Sequence, residues 1–250
     1  MCAKASTPAR DAAPMRIAAD DPGPLRRELD LCAELVAPER ADVLELGCGR
    51  AEFTRAAAER FPAARFVALE VDAVQHERNV ASPHPGNLRF ALGGAQAIPA
   101  PPASFDVVLM LKSLHHVPAG LMDAALDEVA RVLRPGGRAY VSEPVCAGDF
   151  DALMSLFHDE RAVRAAAFDA LQRAAARGRL RPAGEHFWRA RRHYASFDDF
   201  AQRMIHVTHT EHRLAPRTLA AVRERFARHA GSDGAATFEQ AMRTDVLVRA

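Results

Sequence analysis

Between residues 42 and 143, short unbroken apolar runs alternate with segments whose apolar residues recur every three or four positions. The runs Asp42–Leu46, Arg65–Glu70, Leu88–Leu92, Phe105–Leu111 and Arg138–Glu143 predict strands of the kind a parallel sheet buries on both faces. Ala51–Arg60, Ala73–Val80 and Leu121–Leu133 predict the helices between them, the last closed by Arg134-Pro135-Gly136-Gly137. Upstream, Leu29, Cys32, Ala33 and Val36 fall at helical spacing within 25–36, and Pro38 ends that helix. Strand–helix alternation of this length predicts an α/β, doubly wound, Rossmann-like sheet whose ligand lies beyond the carboxyl ends of the strands. Downstream, Asp149–Arg177, Ser196–His206 and Pro216–His229 read as helical, and His186–Tyr194 and Thr244–Val248 as strands. Residues 1–24 lack periodicity and read as a flexible arm, which leaves 25–250 as a single domain.

Composition narrows the class. At 250 residues and 49% hydrophobic content, the chain can bury a large core. Its 33 basic residues balance 32 acidic ones, so neither a membrane surface nor nucleic acid is expected as a partner. Lysine occurs only at 4 and 112; the arginine and alanine excess reads as base bias rather than chemistry. Cys2, Cys32, Cys48 and Cys146 are scattered without a C-x-x-C pair, which argues against a zinc site or a disulfide framework and suits a reducing, cytoplasmic compartment. No apolar run approaches the ~20 residues of a membrane span.

The stretch VLELGCGRAEF (43–53) ends the first strand in two glycines one residue apart, where backbone can approach a ligand closely. A phosphate-cradling loop needs a Gly-Lys pair, and the sequence has none. A dinucleotide fingerprint needs a third glycine where Glu52 stands, and that carboxylate would repel a pyrophosphate at the helix start. A phosphate-free adenosine carrying a cationic centre would instead favour carboxylates around the turn.

With FVALEVD, FALGGAQAIP, SFDVVLMLKSLHHVP and EVARVLRPGGRAYVSEP in the same order, residues 41–144 resemble the class I S-adenosylmethionine-dependent methyltransferases, in particular the small-molecule group that includes the ubiquinone/menaquinone C-methyltransferases. The resemblance implies seven strands with the last antiparallel, S-adenosyl-L-methionine as cofactor, and transfer of its methyl group to a small-molecule acceptor by in-line displacement. It places Glu45 and Gly47, Cys48 and Gly49 beside the methionine half of the cofactor, Glu70 on the ribose with Val71 following it, and Gly94, Ala95 and Gln96 near the adenine, with Leu111 ending the fourth strand. Asp72 competes with Glu70 but stands where a helix N-cap is wanted. Two positions depart from the family pattern. Ala51 replaces a common third glycine, tolerable if it is already helical; Gly94 replaces a common acid, so a hydrogen bond to the adenine is lost unless Gln96 supplies it.

Methyl transfer to a weakly nucleophilic acceptor needs a base, and candidates follow the fourth strand. His116 is the expected pocket residue, His115 is expected to pack or cap within the loop, and Glu143 either touches substrate or is a plain loop carboxylate. No metal site is expected: in H-x-x-H-x-x-H (206, 209, 212) the outer histidines fall about 120° apart on a helix. The resemblance fades after residue 144, so 25–144 is expected to bind cofactor and 145–250 to choose the substrate, with helices inserted before the last strand as a cap. That substrate would be anionic if the nine arginines between 161 and 193 act on it, or aromatic if Phe187, Trp188 and Tyr194 stack on it; a solvated arginine face and core packing are the plainer readings. An RNA or protein methyltransferase, or a non-catalytic cofactor-binding protein, are the alternative readings.

Overall fold

A computed structural model describes residues 15–206 and 214–250. The chain runs α1 (Glu28–Val36), β1 (Asp42–Leu46), α2 (Glu52–Arg60), β2 (Arg65–Glu70), α3 (Ala73–Ala81), β3 (Leu88–Leu92), β4 (Phe105–Leu111), α4 (Met122–Val132) and β5 (Leu133–Pro144). It continues through α5 (Gly148–Met154), α6 (Arg161–Ala176), β6 (Leu180–Tyr194), α7 (Phe197–Phe200), α8 (Pro216–Ala227) and β7 (Ala236–Arg249). The strands form a seven-stranded sheet in the order β3-β2-β1-β4-β5-β7-β6. Pairing is parallel from β3 to β5, and β7 is antiparallel to both β5 and β6. The doubly wound sheet with an antiparallel last strand is therefore present.

Strand alternation divides the core into two layers. Leu44, Leu46, Val108 and Met110 face α4 and α6 through Leu126, Val129 and Leu171. Val43, Val107, Leu109 and Tyr140 face α1 and α2 through Cys32, Val36 and Ala57. Complete burial of an aliphatic side chain stabilises by roughly 1.5–3 kcal/mol relative to exposure, so these central strands hold the carboxyl edge rigid.

The four strands Asp42–Leu46, Arg65–Glu70, Leu88–Leu92 and Phe105–Leu111 have the expected limits, but the later elements differ. β6 and β7 pair from Leu180↔Arg249 to Tyr194↔Ala236, with one bulge between Pro182 and Gly184. β6 therefore begins at Leu180 and β7 at Ala236, both well before the expected His186 and Thr244. The predicted helix Asp149–Arg177 is two helices, because the Asp159 carboxylate accepts the Arg161 N–H at 3.1 Å and starts a new turn.

Beyond the carboxyl edge, the insertion between β6 and β7 packs its own core on α5: Phe150, Tyr194, Phe197, Phe200, Val222, Phe226 and Phe238. Ser196 caps α7 by accepting from the Asp199 N–H at 3.2 Å, and α7 runs into a π turn at Ala201–Ile205. Residues 24–26 lie along β6, where the Arg26 and Arg189 N–H groups bond across at 2.9 and 2.8 Å. Among the described residues, no helix is long and apolar enough to cross a membrane.

Candidate active site

The turn after β1 has Gly47 at φ +69° and Gly49 at φ +53°, the left-handed region that favours glycine. Its shape is held from three sides. The Cys48 N–H bonds the Leu69 carbonyl at 2.9 Å. The Ser113 hydroxyl donates to the Leu46 carbonyl at 2.7 Å. The Asn79 amide, buried in α3, donates to the Gly49 carbonyl at 2.7 Å. Asn79 was not foreseen; its only signal is a carboxamide inside an otherwise ordinary amphipathic helix. A Cβ on Gly49 would meet nothing within 4 Å, whereas one on Gly47 would lie 2.9 Å from the Ser113 Cβ.

Ala51 is not helical, contrary to the condition set for it above. It sits at φ +54° as the N-cap of α2, with its methyl fully buried. The tightness of the turn forces that backbone, and core packing offsets the strain of about 1–2 kcal/mol.

Around this turn stand two carboxylates. Glu45 is 3% exposed, accepts from the Thr54 hydroxyl, and is pushed up to about 7 because burial outweighs that hydrogen bond and the nearby Lys112 charge. Glu70 closes β2 and accepts three backbone N–H groups, from Gly49 at 2.6 Å, Val71 at 2.9 Å and Asp72 at 3.0 Å. These use three of roughly four acceptor sites of a carboxylate. Asp72 caps α3 by accepting from the Val74 and Gln75 N–H groups, the role expected of it. Val71, at 69% exposure, offers an apolar surface beside Glu70. Near β3, a Cβ on Gly94 would fall 2.6 Å from the Gln96 side-chain oxygen, so the Gln96 carboxamide occupies the place of the missing acid. Leu111 is buried beside Cys48 in the α1–α2 layer.

The loop after β4 forms the other wall. Lys112 holds φ +57°, unusual for a non-glycine residue, and its ammonium lies 3.3 Å from Glu28, which also accepts from the Tyr140 hydroxyl at 2.9 Å. His115 is buried at 4% exposure, bonded through Nδ1 to Glu143, with Nε2 3.5 Å from Glu160. Burial works against charging this ring, but the two carboxylates override it and raise it to about 9. Glu143 also accepts the Leu114 N–H at 3.0 Å, which fixes the loop to the end of β5. His116 is exposed, its ring 4.1 Å from that of His115.

Glu160 and His158 complete the cluster and were not foreseen, because they come from the link between α5 and α6. Glu160 takes His158 at 2.8 Å and Arg164 at 2.6 Å.

Other candidates are dispersed. Trp188 packs on Leu31 and Met242 and donates to Thr244 at 2.9 Å, Tyr194 belongs to the cap core, and Phe187 lies under Arg16. Arg164, Arg173, Arg177 and Arg189 pair with carboxylates, mostly from outside their segment. The charge excess of that stretch is thus reduced by carboxylates from other segments. His209 and His212 lie outside the described residues. A cleft of about 740 Å³ lined by Asp20, Arg189, Arg191, His229 and Glu239 contains none of the glycine-turn residues.

Residues 43–137 match the family model described as "Methyltransferase domain". The chain is 38% identical over 100 residues to a fatty-acid O-methyltransferase of Mycolicibacterium smegmatis, covering 38% of this chain and 34% of that protein. It is 35% identical over 108 residues to the ubiquinone/menaquinone biosynthesis C-methyltransferase UbiE of Hahella chejuensis, covering 41% and 43%. The chain thus spans well under half the length of these curated relatives. The solved YcgJ protein of Bacillus subtilis superposes with a TM-score of 0.61 at 17% identity, covering 88% of this chain and 97% of that one, a likeness of fold alone. Residues 43–137 are thus similar to a methyltransferase domain, and the seven-stranded sheet that carries them has the Rossmann-like fold of the class I methyltransferases.

Proposed function

We propose that the chain binds S-adenosyl-L-methionine over the glycine turn and transfers its methyl group to a small-molecule acceptor. The observation that carries this is the open space above Gly49, in a turn whose N–H is taken by the Glu70 carboxylate at 2.6 Å and whose first glycine abuts Ser113 of the loop after β4. The residues present fit the cofactor: two carboxylates and no phosphate-gripping cation suit a phosphate-free nucleoside with a positive centre. When bound, S-adenosylmethionine supplies a methyl on a sulfonium that leaves readily.

Glu70 would accept the ribose hydroxyls by giving up part of its hold on the Gly49, Val71 and Asp72 amides. Glu45, Gly47, Cys48 and Leu111 would border the methionyl part, Val71 would pack on the adenine, and Gly94, Ala95 and Gln96 would meet its polar edge, Gln96 replacing the missing acid. On the acceptor side, His115 is held charged by Glu143 and Glu160, which take up both of its ring nitrogens; this disqualifies it as a base near neutrality and gives it the role of fixing the loop. His116, at the exposed end of the loop, would take the acceptor's proton. The chain's contribution is alignment and exclusion of water.

A small molecule is favoured over RNA or protein because five of the nine arginines between 161 and 193, Arg161, Arg164, Arg173, Arg177 and Arg189, are engaged by carboxylates. O- and C-methylating relatives both occur, so the acceptor is expected to be oxygen or carbon. Three free cysteines, Cys32, Cys48 and Cys146, fit a cytoplasmic setting. Calorimetric titration with S-adenosylmethionine, followed by a methyl-labelling screen against extracted metabolites, tests the reading. Saturable binding with label entering a small molecule supports it. Binding without any labelled product would favour a non-catalytic cofactor-binding protein, and absence of binding would end it.

A further inference from the structure

Four chain segments bring imidazoles and carboxylates together beside the candidate acceptor pocket: the turn 114–116 after β4, the end of β5, the link 155–160, and the start of α6. One ligand atom each from His115, His116 and Glu160 lies within 4.8 Å of the others. We propose that His115, His116 and Glu160 bind one divalent transition-metal ion, with Glu143 orienting His115.

The geometry of His115 carries the assignment. Its Nδ1 is bonded to Glu143, itself 2% exposed, so Nε2 faces Glu160 at 3.5 Å. A carboxylate on one nitrogen with the other turned to a metal is the usual arrangement of ligating histidines. Two ligand atoms on one tetrahedral ion with bonds of ~2.1 Å stand about 3.4 Å apart, so this pair already has the spacing, and closing the set from 4.8 Å takes a side-chain shift of ~1 Å. His158, whose Nε2 is 2.8 Å from the same Glu160 oxygen, stands ready as a further ligand.

Carboxylates surround the set: Glu143 and Glu160 flank His115, and Glu160 and Asp151 share Arg164 at 2.6 and 3.3 Å, Asp151 meeting Arg161 as well at 3.5 Å. Imidazole nitrogens select zinc, cobalt, nickel or ferrous iron over magnesium or calcium. On the methyl-transfer reading, the ion would replace His116 as the means of deprotonation: it would ligate an oxygen of the acceptor and favour its oxyanion, the proton passing to solvent; binding of the ion does not depend on that reading.

The test uses the untagged full chain, stripped with a chelator and dialysed against Co²⁺ and Zn²⁺ without S-adenosylmethionine, with bound metal counted by mass spectrometry and Co²⁺ followed by its visible ligand-field bands. One Co²⁺ per chain, displaceable by Zn²⁺, is expected. His116→Ala and Glu160→Gln should each weaken it at least tenfold. His116 is exposed, so thermal unfolding of H116A should match the parent. Replacing His206, His209 and His212 together by alanine should leave binding intact. No retained ion, undiminished binding in H116A and E160Q, or loss confined to the triple variant would overturn the proposal. A parallel titration with S-adenosylmethionine reports separately on the methyl-transfer reading.

Discussion

Gly49→Ala separates the protein's own need for glycine from a ligand's need for space. At φ +53° an alanine costs about 1–2 kcal/mol of backbone strain. No protein atom lies within 4 Å of the added methyl, so strain is the whole cost to folding. Ala51 shows that this turn accepts an alanine in the left-handed region. For a chain of this length, melting should fall by roughly 2–4 °C per kcal/mol. If the cofactor lies over Gly49, the methyl intrudes on it, and overpacking of ~1–3 kcal/mol weakens binding by roughly ten- to hundredfold. Calorimetry with S-adenosylhomocysteine and thermal unfolding measured on the same variant read the two effects apart. Lowered melting with unchanged affinity would refute the placement. Gly47 is the poorer probe, because its side chain would strike Ser113 2.9 Å away and disturb the loop itself.

Three further outcomes follow from the same geometry. Glu70→Ala should weaken cofactor binding roughly tenfold or more, at 1.5–3 kcal/mol per charge-assisted bond, and also lower melting because three backbone amides lose their acceptor; normal affinity in Glu70→Ala with the loss in Asp72→Ala would contradict it. Glu45 has a folded-state value raised from 4.5 to about 7, so its burial costs nothing below about 4.5 and stability is lost as pH rises through 7. The full difference, 7 − 4.5 = 2.5, is on the order of 3 kcal/mol. Glu45→Gln should therefore melt higher than the parent near pH 8 and alike near pH ~4 in denaturation series; an equal gap at both would contradict the assignment. Replacing residues 196–229 by a short linker strips the α5 core of Phe197, Phe200 and Phe226 and should spare cofactor binding while abolishing turnover; retained turnover would show that the insertion does not shape the pocket.

The carboxyl-edge half of the site was legible because its chemistry is local. The glycines, Glu70 and the capping Asp72 lie within 26 residues, where strand end, turn and helix start leave marks a single chain position can carry. Gln96 was legible as a compensation for Gly94 for the same reason. On the acceptor side His115, His116 and Glu143 were legible as residues, but their pairing and Glu160 were not. His115 is joined to Glu143 and Glu160 across 28 and 45 positions, and nothing in the pattern of 149–177 announces the break that brings Glu160 inward. The start of β6 was concealed by Pro182 and Gly184, which read as turn rather than strand and which the structure accommodates at a bulge. The ion pairs of the arginine-rich stretch were not legible either: their partners, Asp123 among them, sit in distant segments that a local charge sum omits.

The most direct measurement is a crystal structure of the chain with S-adenosylhomocysteine. The account places the nucleoside over Gly49, its ribose hydroxyls on Glu70 and its adenine beside Val71 and Gln96, with the sulfur turned toward the loop of His115 and His116. Ligand density in the cleft between Arg189, Arg191 and His229, with the space above Gly49 filled by solvent, would contradict it.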